Sequence, residues 1–465
     1  MNKRALVVAV ILVLLVILFY YVVGNKEQPP VEEEGITLLV ITRHSSTITQ
    51  LYKEAFLSSE IAKKYNIADI RFINPHPAIW IETIKRIGNI DIAWGGGPTI
   101  HNLLADEGLL LPISSTDVLQ TLQCIPKDIG GMELVRYDGS GRPLWIATAI
   151  SSFGIIVNHP ILEKYDLPTP KKWEDLASLE LSKILPKPAV AYSRSTQSGS
   201  HTRIYQIILQ KFGWDEGWAI LARLAANGRP YGGSVEALTA LESGEVPIAI
   251  GIDFYGYTAQ VEVPGTEYII PYNETIIGGD PISLLKTSKH KEEALAFITW
   301  ALSQEGQSLL LDRRVNRLPV RPDVFDTDIG KSRKDLREAY RKVMENVGIR
   351  FDEERARRTY FAVALYFDSV FCDPHDSLVK AWRLLTKAYL DGKLNKREFE
   401  EISRKLGGPL SWKQNGTTYI FTEEFAASIN LKVRDDPNFS SKIASLWREA
   451  AEKRYREIIS LIPGG

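Results

Sequence analysis

From Ile36 onward, short unbroken apolar runs alternate with stretches whose apolar residues return every three or four positions. Thr37–Thr42 (TLLVIT) shows no polar alternation, as expected of a strand covered on both faces in a parallel sheet. Ile48, Leu51, Tyr52, Ala55 and Phe56 then recur at helical spacing. Ile70–Ile73 predicts a second strand and Ala78–Ile87 a second helix, stopped by Gly88. Ile90–Trp94 (IDIAW) predicts a third strand before a helix carrying Ile100, Leu103 and Leu104. The result is a β-α-β-α-β unit with right-handed crossovers. Leu144–Val157 (LWIATAISSFGIIV) is broken at Ser151 and Ser152, and reads as a strand crossing from this first lobe into a second. Ala189–Tyr192 is the next strand, a helix with Ile204, Ile207, Ile208 and Phe212 follows, and Val246–Gly251 (VPIAIG) reads as the route back.

In an open sheet of this kind ligands collect beyond the carboxyl ends of the strands, where strand order reverses. That rule sets the loops after the first and third strands on one rim. They contain Arg43, His44, Ser45 and Ser46 in the first, and Gly95, Gly96 and Gly97, after Trp94, in the second. Each loop opens a helix, whose first N–H groups and positive dipole end suit an anion. Ser193–Ser200 repeats the device in the second lobe, offering Arg194, Ser195, Ser198, Gly199 and Ser200. Ser151 and Ser152 at the crossing, Asp253 and Tyr255 beyond the return strand, and Asp280 complete the candidate set. Taken singly, each serine is equally well a helix cap and the three glycines a tight turn. Pairing of the loops at one rim carries the functional signal. Arg43 and Arg194, each directly after a strand, are expected to grip an anionic or zwitterionic group from opposite lobes.

Several passages resemble family-1 extracellular solute-binding proteins of ABC importers. Ser195–Ser200 (STQSGS) is similar to their second-lobe binding loop, VPIAIGIDFYG to their return strand, and Asn316–Pro322 (NRLPVRP) to their closing segment. Ile282–Leu310 (ISLLKTSKHKEEALAFITWALSQEGQSLL) is the most specific match, and Trp145–Leu176 adds to it. The resemblance implies an α/β, two-lobed Venus-flytrap fold of the type II periplasmic-binding-protein kind. It also implies a small-molecule ligand, an ABC permease as partner, and neither an enzyme nor a resident cofactor or metal. The lobes then divide as 36–147 and 253–330 for lobe 1 and 148–252 for lobe 2. Iron-binding members use adjacent tyrosines in the second lobe, and no such pair stands there. Polyamine-binding members use acidic and aromatic groups, for which Asp253, Tyr255, Trp94 and Asp280 are candidates. The chain runs on past the family's closing segment, so 331–465 reads as an appended, charge-rich helical module.

Basic and acidic residues number 56 and 57, and the pI of about 6.7 gives no basic face for nucleic acid. No HExxH, GxSxG or Walker motif occurs, which argues against the common hydrolases and nucleotide enzymes. Lys3 and Arg4 precede an apolar run, Ala5–Val23, ending in an aromatic cluster without a small-residue cleavage site. Residues 1–24 are therefore expected to anchor the chain, with a cleaved signal segment as the alternative, 25–35 as tether and the bulk extracytoplasmic. Cys124 and Cys372 leave open one disulfide or two thiols.

Overall fold

The computed structural model describes residues 35–129, 132–346 and 348–463. The proposed anchor lies outside the described residues. Among those described, no helix is long and apolar enough to cross a membrane.

Lobe 1 is built from β1 (Ile36–Thr42), α1 (Ser46–Ser58), β2 (Ile67–Ile73), α2 (Trp80–Ile87), β3 (Ile92–Trp94) and α3 (Pro98–Asp106). β1 pairs in parallel with β2 on one side and β3 on the other, so strand order reverses between β1 and β3, and the loops after β1 and β3 share the rim expected of them. Gly88 ends α2 at φ 73°, a conformation that glycine adopts without side-chain strain.

The crossing strand is β4 (Pro143–Asn158), buried almost throughout. Lobe 2 follows with β5 (Val190–Ser193), α4 (Gly199–Phe212), α5 (Trp214–Asn227), β6 (Gly228–Tyr231), α6 (Ser234–Glu242), β7 (Ile248–Ile252), α7 (Asp253–Glu262) and β8 (Thr266–Ile269). β9 (Ile277–Leu285) then pairs antiparallel with β3 and with the first part of β4. β4 changes partners at Ser152 and Phe153, pairing with β9 up to Ser152 and with β7 from Phe153.

The strand expected to lead back to lobe 1 does not do so. β7 pairs with β4 and β5 inside the lobe 2 sheet, and β8 pairs with β4 there as well. The return lies between β8 and β9. An apolar run reports that a strand is buried and leaves its sheet undetermined. At this crossing Thr275 Oγ1 donates to the Phe153 carbonyl at 2.7 Å. Ile349 N donates to the Thr275 carbonyl at 2.8 Å, so a third segment passes alongside.

α8 (Lys291–Ala301) and α9 (Lys334–Glu345) pack on lobe 1, burying Phe297, Trp300, Leu336 and Val343 in its core. After the third crossing come α10 (Glu353–Phe367), a π turn (Asp368–Cys372), α11 (His375–Leu390) and α12 (Lys396–Gly407). The hairpin β10 (Ser411–Gln414) and β11 (Thr417–Ile420) precedes α13 (Glu423–Asp435) and α14 (Pro437–Leu461). Their apolar faces join the lobe 2 core: Tyr366, Phe367, Trp382 and Trp447 share one cluster with Tyr205, Ile207 and Trp218. Cys372 is buried there and Cys124 is exposed in lobe 1, both as free thiols. The disulfide left open by the sequence is not formed.

Candidate ligand-binding site

A cavity of about 370 Å³ lies between the lobes. Helix N-termini from both lobes reach it. α1 is capped by Ser45, whose hydroxyl accepts from Ile48 N, and α4 by Ser198, which accepts from His201 N at 3.2 Å. α3 and α6 start from Gly97 and Gly233 without a side-chain cap. In α3 the Gly97 N–H is engaged by Asp280 and Pro98 has none, so an occupant of the cavity would meet the N–H groups of Thr99 and Ile100 there and the first turn of α6. Gly95, Gly96 and Gly97 have φ of 78°, 88° and 82°, a run of left-handed backbone that only glycine takes easily. The triple glycine is a backbone requirement of this turn. On the lobe 2 side, Ser198, Ser200 and Ser234 form a hydroxyl triangle with sides of 2.7, 3.1 and 3.2 Å.

Arg43 lines the cavity and gives its bonds to neutral acceptors, Asn74 Oδ1 at 2.9 Å and the Pro75 carbonyl at 3.4 Å. Burial lowers its pKa from the ordinary arginine value, opposed by Tyr255 and Tyr360. Arg317, 1% exposed, lies at the floor. It donates to Asp280 Oδ2 at 2.7 Å, Ser151 Oγ at 2.9 Å and His44 Nδ1 at 3.2 Å. Because the guanidinium can only donate, His44 Nδ1 accepts and its proton sits on Nε2. Burial holds His44 neutral, with a pKa of about 3. Burial raises the Asp280 pKa, but Arg317 and His44 outweigh it and leave a carboxylate that also accepts from Gly97 N at 3.1 Å.

Of the candidates read from the sequence, the structure gathers Arg43, His44, Ser45, Gly96, Gly97, Ser151, Ser198, Gly199, Ser200, Tyr255 and Asp280 on this cavity. The others lie elsewhere. Ser46 is exposed beside the rim, while Gly95 donates its N–H to the Pro281 carbonyl. Trp94 is buried under the site, its Nε1 donating to Thr148 Oγ1 at 3.0 Å. Ser152 and Asp253 are buried together, Ser152 N donating to Asp253 Oδ2 at 3.0 Å.

Arg194 does not face the cavity, contrary to the expectation that it grips the ligand. Its Nη1 bonds Asp373 Oδ1 at 2.9 Å. The Asp368 carboxylate accepts from Ser195 N at 2.7 Å, Thr196 N at 3.1 Å and Thr196 Oγ1. Two acids from the turn between α10 and α11 thus occupy the first half of this loop, and Gln197–Ser200 faces the cavity. Arg203, Arg317, Glu353 and Tyr360 line it too, and the sequence reading named none of them. Arg203 and Tyr360 sit within helices, behind the loops, with no local signal. Arg317 lies within the closing segment NRLPVRP, which marked it as part of a motif without a role.

Residues 86–308 match the sequence profile of the family described as bacterial extracellular solute-binding protein. The phosphoglycerate transport regulatory protein PgtC of Salmonella typhimurium is 30% identical over 241 residues, covering 50% of this chain. The chain spans about half the length of that curated relative, 54%. The periplasmic binding protein AfuA of Actinobacillus pleuropneumoniae, solved with fructose-6-phosphate, superposes with a TM-score of 0.53 at 17% identity. That match covers 66% of this chain and 98% of AfuA. The spermidine/putrescine-binding protein PotD of Streptococcus pneumoniae superposes with a TM-score of 0.50 at 17% identity, covering 71% and 98%. These likenesses establish the fold and leave the ligand open, since the two neighbours take ligands of opposite charge. Residues 86–308 of this chain are thus similar to the bacterial extracellular solute-binding protein family.

Proposed function

We propose that this protein captures a small organic anion, carrying phosphate or carboxylate, in the interlobe cavity and delivers it to an ABC importer. The bulk of the chain is then extracytoplasmic, held at the membrane by the apolar run Ala5–Val23. The reading rests on one observation: helix N-termini from both lobes, with Arg43 bonded among the described residues to neutral acceptors, face the same cavity. The acids offered for a cationic ligand are engaged internally, Asp280 by Arg317 and Asp253 by Ser152 and Phe254. The name of the relative PgtC, 30% identical over half of this chain, points to the same ligand class.

A thermal-shift and calorimetric panel of 3-phosphoglycerate, inorganic phosphate, a dicarboxylate and spermidine tests this. A bound ligand stabilises by about 2.7 kcal/mol at a hundredfold excess over Kd. Stabilisation by spermidine alone would refute the anion reading.

The printed role of PgtC, transport regulation, favours one second reading, a binding sensor that signals through a partner. Uptake of labelled ligand that persists when this protein is deleted, with loss of ligand-induced expression, would select the sensor.

A further inference from the structure

The C-terminal helices are continuous with lobe 2 in their core, yet they also touch lobe 1, and the polar contacts fall at the two ends of α3. Glu353, in the first turn of α10, accepts from Arg203 Nη2 of lobe 2 at 2.9 Å to both oxygens. The same carboxylate accepts from Thr99 Oγ1 of lobe 1 at 3.4 Å. One turn on, Arg357 Nη1 lies 3.1 Å from Asp106 Oδ2, at the far end of α3. Phe361 is buried in a lobe 1 cluster with Ile41, Trp80 and Ile100. From α13, Arg434 Nη1 lies 3.9 Å from Glu107. Gly199 has no Cβ, and one placed there would stand 3.2 Å from the Tyr360 hydroxyl, so α10 also closes on the lobe 2 loop.

We infer that the C-terminal module is a clasp that completes the ligand site, with Glu353 as the positioning residue that ties Thr99 to Arg203 across the cleft. α3 begins at Gly97, the lobe 1 half of the anion cradle, and α4 begins at Ser198, the lobe 2 half. A body rooted in lobe 2 that grips α3 at both ends therefore sets the spacing between the two sets of N–H donors. The polar grips on α3 from α10 and the insertion of Phe361 belong to one helix and must engage or release together. This deepens the proposed function, because the ligand then binds three bodies rather than two.

The test uses the full chain with spin labels at Leu119→Cys and Lys171→Cys, in a Cys124→Ser background. Leu119 and Lys171 are exposed, on lobe 1 and lobe 2 respectively. Interlobe distances are measured without ligand for the parent, Glu353→Gln, Arg357→Gln and their combination. The parent should give one narrow distribution and the combined variant a broader, longer one. Arg397→Gln, which breaks an exposed ion pair on α12, should match the parent. For 3-phosphoglycerate, Glu353→Gln should raise Kd by roughly five- to twentyfold through faster dissociation, and Glu353→Asp should restore part of it. An unchanged distance distribution in the combined variant would overturn the clasp. So would tighter binding by Glu353→Gln, which would make Glu353 a competitor for Arg203. If the parent binds none of the anions, the functional reading fails while the ligand-free distances still decide the clasp.

Discussion

At the scale of single residues, burial decides which charges the cleft can use. Asp280 and Arg317 neutralise each other under the floor, and Arg43 remains with neutral partners. A charge-assisted hydrogen bond contributes roughly 1.5–3 kcal/mol, so Arg43→Ala should weaken anion binding by about ten- to a hundredfold. The melting temperature of the ligand-free protein should hardly change. Arg194→Ala removes a half-exposed pair with Asp373 and should leave affinity within about threefold, which calorimetric titration of both variants checks. Burial also holds histidines neutral: His44 and His201 at about 3, His76 and His101 at about 4. Unfolded, each takes up a proton near pH 6.5, so their contribution is complete above that pH and is lost as pH falls toward 4. Asp253 acts oppositely. Burial raises it to about 7, so its contribution is complete below the unfolded value of about 3.8 and is lost as pH rises to 7. Melting temperature should therefore fall on acidification from pH 6.5 to 4.5, as these four histidines take up protons on unfolding and outnumber the one released by Asp253. Asp253→Asn should steepen that slope by about one proton. A flat profile would contradict these assignments.

At the scale of elements, the site is a set of helix beginnings held at strand ends. β1 and β3 finish on the same rim because both flank the reversal of strand order, and each hands its chain to a helix pointing at the cavity. A Cβ at Gly96 would stand 3.2 Å from Ile100 Cγ2, at a φ of 88°. Gly96→Ala should cost roughly 1–2 kcal/mol of stability for the left-handed backbone. It should weaken anion binding further by turning the N–H groups of α3 away, seen as a larger loss in titration than in melting. Ser198→Ala removes the α4 cap and one corner of the hydroxyl triangle. Capping loss costs about 1 kcal/mol, and chemical denaturation of this variant should show that amount in the ligand-free protein.

For the whole molecule, lobe 2 and the C-terminal helices share one apolar core and are expected to unfold together. Trp382 is 1% exposed, and its Nε1 donates to Asn227 Oδ1 at 2.7 Å, joining α11 to the end of α5. Trp382→Ala should cost roughly 3–5 kcal/mol. Hydrogen exchange should report this loss in β5 and α4 of lobe 2 as much as in α10 and α11, and leave β1 to β3 unaffected. Ending the chain after residue 346 should expose the lobe 2 face that now packs Tyr366, Phe367 and Trp447, giving an aggregation-prone product. A soluble, cooperatively folding truncation would show that the two are separate domains.

The sequence by itself determined what depends on neighbours along the chain. The apolar runs of β1 and β3, the periodicity of α1 and the triple glycine sufficed to place one rim of the cavity, because period and backbone freedom are local properties. The serines before α1 and α4 were likewise visible as caps, and capping is decided within one turn. The sheet that each buried strand joins is set by tertiary packing, so β7 stays in lobe 2 and the chain returns between β8 and β9. Only the tertiary structure decided which charges are spoken for. Arg43 and Arg194 look alike in sequence, each an arginine directly after a strand. Yet Asp373, 179 positions away, engages Arg194, while among the described residues Arg43 bonds to neutral acceptors. Glu353 reaches the cavity for the same reason, brought there by a core that fuses α10 to lobe 2. Pairing across such separations depends on how the faces pack, and no local pattern of residues records it.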